Sequence, residues 1–174
     1  MEEKIESYCL SIVNSIGLLH DKNLYGQILI IIYSSIDTMG LLDAPPSQTS
    51  ASGASFKNWV KNYILSYPNI EFNEEDLWGA RCAVLHTFTS ESDLSKANKV
   101  REIQYIAGKK DGMESLLNQI RVLDDGKHVP AFIEDLIFAL YEAIKKFTLV
   151  LLANCENDLA YEKRLNKILQ TYAI

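Results

Sequence analysis

Cysteine is scarce in this chain and badly placed for chemistry of its own. Cys9, Cys82 and Cys155 are odd in number, far apart, and form no C-x-x-C pair. That excludes a disulfide framework and a thiolate zinc site, and makes a reducing cytoplasm the natural setting. Positive charge is also short. Seventeen Lys and Arg against 23 Asp and Glu leave a net charge of -6 and a pI near 5.1. A general nucleic-acid coat needs a concentrated basic surface, so only a small, local RNA contact is compatible with this balance. Long apolar runs are missing too. The most apolar stretch, Leu24 to Leu42, is interrupted by Gln27, Asp37 and two serines, and only Ile28 to Ile32 is an unbroken aliphatic block. It reads as a buried helix, and no membrane span is expected. The start, Met1-Glu2-Glu3-Lys4, is acidic where a secretory leader would be basic. Internal repeats are absent, and the one stretch of biased composition is a short loop.

What is present has the size and balance of one domain, residues 1–174. Hydrophobic residues make up 48% and charged residues 23%, ample for a packed core. Helical spacing dominates. Ile5, Cys9, Ile12, Val13 and Ile16 share one face of a first helix over Lys4 to Ile16, ended by Gly17. A second, capped by Asp21, runs from about Leu24 to Met39 and is punctuated by Gly40. Residues 44–53, with Pro45, Pro46 and several serines, form a loop. A third helix spans Ser55 to Leu65, and Pro68 bars its continuation. In the fourth, Asn73 and Asp76 have capping-box spacing, and Glu74, Glu75 and Asp76 suit the positive end of the helix dipole. It continues to Phe88 and dissolves into Ser90-Glu91-Ser92-Asp93.

Val100 to Ala107 has β-type content, and Gln119 to Leu123 is its expected partner in a small β-hairpin inserted near 100–123. Pro130 then opens a long amphipathic helix to Asn154, with Phe132, Leu136, Leu140, Ile144, Phe147 and Leu151 facing inward. A last helix covers Asp158 to Thr171. The expected fold is therefore all-α or mainly α: an up-and-down bundle of about five to six helices with a small β insertion.

Chemistry is concentrated in the fourth helix. Arg81 is the one formal charge between Asp76 and Glu91, among Trp78, Ala80, Cys82, Ala83, Val84 and Leu85. Such a charge must find a partner or reach water. His86 follows five positions later, roughly 140° around the helix and about 7.5 Å along it. The two do not share a strict face, but a second copy packed about a two-fold axis would converge two Arg and two His into one cleft. The pair suits metal-free RNA cleavage. Histidine titrates near neutrality and moves protons at the 2′-hydroxyl or leaving oxygen. Arginine clamps a phosphate and meets the charge of the transition state. Thr87, Thr89 and Ser90 add hydroxyls.

Arg81-Cys82-Ala83-Val84-Leu85-His86 resembles the R-x4-6-H motif of HEPN domains, all-helical domains named for higher eukaryotes and prokaryotes nucleotide-binding. The apolar Leu24–Leu42 helix with Ile36-Asp37 is compatible with the bundle helix that precedes the motif in that family. The resemblance covers about residues 4–90 and 130–154. It implies a metal-independent endoribonuclease acting as a homodimer, often a toxin or phage-defence effector, with Arg81 and His86 as the active pair. An antitoxin or other partner protein belongs to that picture, and no cofactor or metal does. The position after the arginine, often polar in active members, is Cys82 here.

Plainer readings stand beside this one. Arg81 has a rival role in an ion pair with Asp37, the one charge of the second helix before Asp43, though a carboxylate there would also orient the arginine. His86 has one as a helix-end histidine bonded to a carbonyl. Cys82 reads as packing, and His20 and His128 as solvated. The competing function is a helical scaffold or partner-binding module with a structural Arg–His pair. A third is a nucleotide-binding regulator that sets Arg81 on a phosphate.

Overall fold

The computed structural model describes residues 2–108, 117–119 and 126–168. It is mainly helical, with one small parallel sheet. Helix α1 spans Glu2–Asp21 and buries Ile5, Cys9, Ile12 and Ile16, the face set by their spacing. It runs straight through Gly17, because one exposed glycine costs only about 1 kcal/mol, set against the buried stripe that ends at Ile16 and the partly buried Leu19 beyond it. Asp21 is therefore the last residue of α1 and not a cap. The next helix, α2, spans Tyr25–Asp43, with Leu24 at its N-cap position and no side-chain cap.

Helix α2 is the centre of the bundle and packs against α1, α3, α4 and the long helix near the C-terminus. It is long and apolar enough to cross a membrane, with a mean hydropathy of 1.3 and half of that stretch buried against its neighbours. Ile28, Ile32, Tyr33, Ile36 and Met39 are fully enclosed. Gly40 does not end it. A Cβ there would stand 2.7 Å from the Ser55 carbonyl oxygen, so the glycine is the close-approach point for the next helix.

Helix α3, Gly53–Trp59, passes without a break into a π-helical turn, Val60–Ile64. Ser52 and Ser55 cap it reciprocally. Phe56 packs its ring against Tyr33 and Trp78, and Trp59 and Tyr63 form a second aromatic group with Phe147. Each buried ring contributes roughly 1.5–3 kcal/mol of transfer free energy. The loop before α3 is tied down from afar. Arg164 donates to the carbonyls of Leu41, Ala44, Pro45 and Gln48, covering the unpaired end of α2.

Helix α4, Glu74–Thr87, has the expected start: Asn73 accepts from Glu75 N and Asp76 N, and Asp76 accepts from Asn73 N. Asp76 is buried, and Arg101 satisfies it with Nε and Nη2. A short helix α5, Asp93–Lys96, follows.

Strand β1, Glu102–Ile106, pairs in parallel with β2, His128–Phe132, in the register Ile103↔Val129 and Tyr105↔Ala131. This corrects the expected hairpin. The partner of the first strand lies beyond 123, and a parallel pair needs a crossover where a hairpin needs only a turn. Gln119 is helical, and residues 120–123 lie outside the described residues. Pro130 sits in β2, where its missing N–H is tolerated because both strands are edges. Helix α6 consequently starts at Ile133 and runs to Asn157. The closing helix α7, Leu159–Leu165, is capped by Asp158. The remainder of the expected last helix beyond residue 168 lies outside the described residues.

Candidate active site

Arg81, Asp37, His86 and Thr87 are placed by two antiparallel helices. Gly26, early in α2, meets the far end of α4: a Cβ there would overlap the Phe88 ring. From that fixed end the two helices run alongside each other, and the long Arg81 side chain reaches Asp37 across the remaining offset. Arg81 donates to Asp37 Oδ2 through Nε at 2.9 Å and through Nη2 at 2.6 Å. Both side chains are about one-fifth exposed. Trp78, one turn earlier on α4, lies under the guanidinium with the ring centre 5.1 Å from Cζ. Burial works against the charge of Arg81, but the hydrogen bond and charge of Asp37 outweigh it and hold the guanidinium's pKa above its ordinary value.

His86 and Arg81 meet despite their different faces. Arg81 Nη1 lies 3.3 Å from His86 Nε2. The long arginine side chain bends along the helix to make up the angular difference. A guanidinium is always protonated and has only donors, so Nε2 must accept, and the neutral ring carries its proton on Nδ1. His86 itself is exposed. The result is a cation held on one edge by Asp37 and on one face by Trp78, with its other edge turned to an imidazole lone pair at the surface. Such a group can take a proton from a hydroxyl while the adjacent cation meets a negative oxygen.

The hydroxyls that follow are engaged locally. Thr87 donates to Ala83 O at 2.8 Å, so the single Thr89 proton is shared between Thr87 Oγ1 at 2.8 Å and Glu91 O at 3.1 Å. Thr87 thus offers lone pairs here, its proton being used by the helix.

A cleft of about 460 Å³ opens on the far side of His86, walled by Cys82, His86, Thr87, Glu91, Leu94 and Lys96 among others. The sequence pattern did not point to its outer wall. Phe88 adopts the left-handed conformation, φ 53°, and turns the chain back on α4. Ser92 and Ser95 then cap α5 reciprocally. Gly79 lets this return lie close, since a Cβ there would stand 2.6 Å from Val100 Cγ2. A glycine inside α4 and a second S-x-x-S box just after it were the available signals. Trp78 was legible as a helix-face aromatic, but its place under Arg81 was not.

Lys145, His20 and His128 are not among the residues that line this cleft. Lys145 pairs with Glu142. His20 is 3.8 Å from Glu134 and His128 is 3.8 Å from Glu102. The Lys109–Lys110 doublet falls outside the described residues. Among the described residues, no group of three or more His, Cys, Asp or Glu side chains is placed to hold a metal ion. In comparisons with known proteins, the chain matches no family, no curated sequence and no solved structure.

Proposed function

We propose that this chain is a metal-independent endoribonuclease of HEPN type. The observation that supports the reading best is the shared hydrogen bond between Arg81 Nη1 and His86 Nε2, with Asp37 holding the opposite edge of the arginine. In this mechanism His86 Nε2 removes the proton of a ribose 2′-hydroxyl. The 2′-oxygen attacks phosphorus, and Arg81 Nη1 swings from the imidazole to a non-bridging phosphate oxygen. The bond to the 5′-oxygen breaks, leaving a 2′,3′-cyclic phosphate and a 5′-hydroxyl. The leaving oxygen needs a proton that a single neutral imidazole cannot supply at the same moment. A protonated His86 from a second copy, across a two-fold axis, supplies it, which makes the homodimer the working unit. The setting is a cytoplasmic toxin or defence effector, with an antitoxin or similar protein as the restraining partner.

The test is cleavage of a mixed RNA substrate, with and without EDTA, and analysis of the product ends. Cleavage that persists in EDTA and leaves cyclic phosphate is expected, as is its loss in His86→Ala by about 10²–10⁴-fold. Activity lost in EDTA and restored by Mg²⁺ or Mn²⁺ would sink this mechanism.

The second reading is a non-catalytic scaffold. Its support is that Asp37 and Trp78 already occupy much of the guanidinium. An absence of cleavage on every RNA offered, with His86→Ala strongly destabilising, would favour it.

A further inference from the structure

The cleft beside His86 falls within the range of small-ligand pockets, about 300–1,000 Å³. Its threonines do not donate into it, because the Thr87 proton serves Ala83 O and the Thr89 proton serves Thr87 Oγ1 and Glu91 O. The charged groups on the outer wall are Glu91, Asp93 and Lys96, and the first and last of these are side by side. Glu91 Oε2 lies 3.6 Å from Lys96 Nζ, and both side chains are more than half exposed. At that separation the pair is loose, so the carboxylate keeps acceptor capacity and the ammonium keeps donors. Together they offer a two-oxygen acceptor next to a donor.

Among RNA bases only guanine carries the complement on its Watson–Crick edge: the N2 amino donor, the N1–H donor and the O6 acceptor. Adenine and cytosine each offer a single exocyclic donor, and uracil sets one donor between two acceptors. Only guanine therefore engages both carboxylate oxygens and the ammonium together. Unpaired bases are commonly read on this edge while their faces lie on side chains. Leu94 supplies an apolar surface in the same cleft.

We infer that this cleft is a base subsite that selects guanine in the nucleotide beside the scissile phosphate, read by Glu91 and Lys96. The inference rests on the nuclease reading above. His86 lines the same cleft, so a base seated there leaves its own ribose and phosphate at the imidazole. The contact forms in single-stranded RNA, where that edge is free. It also fits the chain's acidity, since recognition then comes from one base edge and one phosphate, with no long basic track.

The experiment reads cut sites in a random-sequence RNA and, separately, titrates guanosine 3′-monophosphate and adenosine 3′-monophosphate into the full chain by NMR. Cuts should be enriched next to guanine by about tenfold or more, the scale of one lost bidentate base contact. Glu91→Gln, whose amide sets a donor against a donor, should abolish that enrichment while cutting at other bases persists. Lys96→Met should weaken it. An exposed ion pair adds little to stability, so both variants should remain folded. Cutting without guanine bias, or with a bias that both variants retain, overturns the subsite and leaves the nuclease standing. If no RNA is cut, the nuclease reading falls and the titration decides the cleft. Guanosine monophosphate binding that Glu91→Gln removes supports the base site, and no binding overturns it.

Discussion

Asp37 both holds Arg81 and offsets its charge, and the balance between these effects can be measured. Arg81→Ala leaves a four-fifths-buried carboxylate without its cation. The cost should be about 2–3 kcal/mol, below the full penalty for breaking a buried pair because some water still reaches Asp37. Asp37→Asn combined with Arg81→Gln replaces the ion pair by a neutral amide contact and should recover most of that loss in a chemical denaturation curve. RNA cleavage should stay absent in the double variant. Recovery of both together would show that Arg81 has no chemical role. His86→Ala, at an exposed position, should change stability by no more than about 0.5 kcal/mol. Residue by residue, Arg81, His86 and Asp37 were legible because a charge in an uncharged helix stands out in sequence. Their mutual geometry was not, because it depends on a side-chain bend and on the level at which two helices meet.

At the scale of elements, glycines decide how closely helices approach. Gly17 and Gly40 look alike in sequence as helix stops, yet neither stops a helix. Gly17 meets open space, whereas Gly40 lies against the Ser55 carbonyl. Gly40→Ala should therefore push α3 off α2 and cost about 1–3 kcal/mol, the usual range for overpacking. Gly17→Ala should stabilise α1 by up to about 1 kcal/mol. Thermal melts of the two variants test this pair, and equal shifts of the same sign would contradict the close-approach account. Strand pairing was the least legible feature. Glu102–Ile106 reads as β-type from its residues, but the choice of a partner beyond 123, in parallel and not as a hairpin, rests on contacts distant in sequence. The same long range explains why Pro130 belongs to a strand and not to the first turn of α6.

For the whole molecule, buried tyrosines set an alkaline limit. Burial raises the pKa of Tyr33, Tyr105 and Tyr63; the neighbouring Tyr105 adds to the effect at Tyr33 and Asp43 adds to it at Tyr63. The Tyr33 and Tyr105 hydroxyls bond to each other between α2 and β1. A raised folded pKa means that the stability these groups contribute is fully present below the unfolded value of about 10 and is lost as pH rises above it. The denaturant midpoint should hold flat to about pH 9 and fall steeply beyond pH 10. Tyr33→Phe with Tyr105→Phe should soften that fall, and an unchanged slope would remove these tyrosines from the account. The proposed nuclease also makes a claim about assembly. Light scattering at micromolar concentration should give twice the chain mass, and a monomer at every concentration tested would remove the composite site.

By itself, the sequence determined the helical class, most of the buried faces of α1 and α6 (Val13 is half-buried and Phe132 ends β2), the capped start of α4 and the identity of the one charge that needed explaining. These follow from local rules: a period of 3.6, a capping spacing, the cost of burying an unpaired ion. Tertiary structure alone decided that Arg81 takes Asp37 on one edge and His86 on the other. It also decided that Trp78 lies beneath, that Gly40 and Gly79 are contact points, and that the chain folds back after Phe88 to wall the cleft with Glu91 and Lys96. Those arrangements depend on which surfaces meet across the bundle. Many packings satisfy the same local pattern, and only the shared core selects among them.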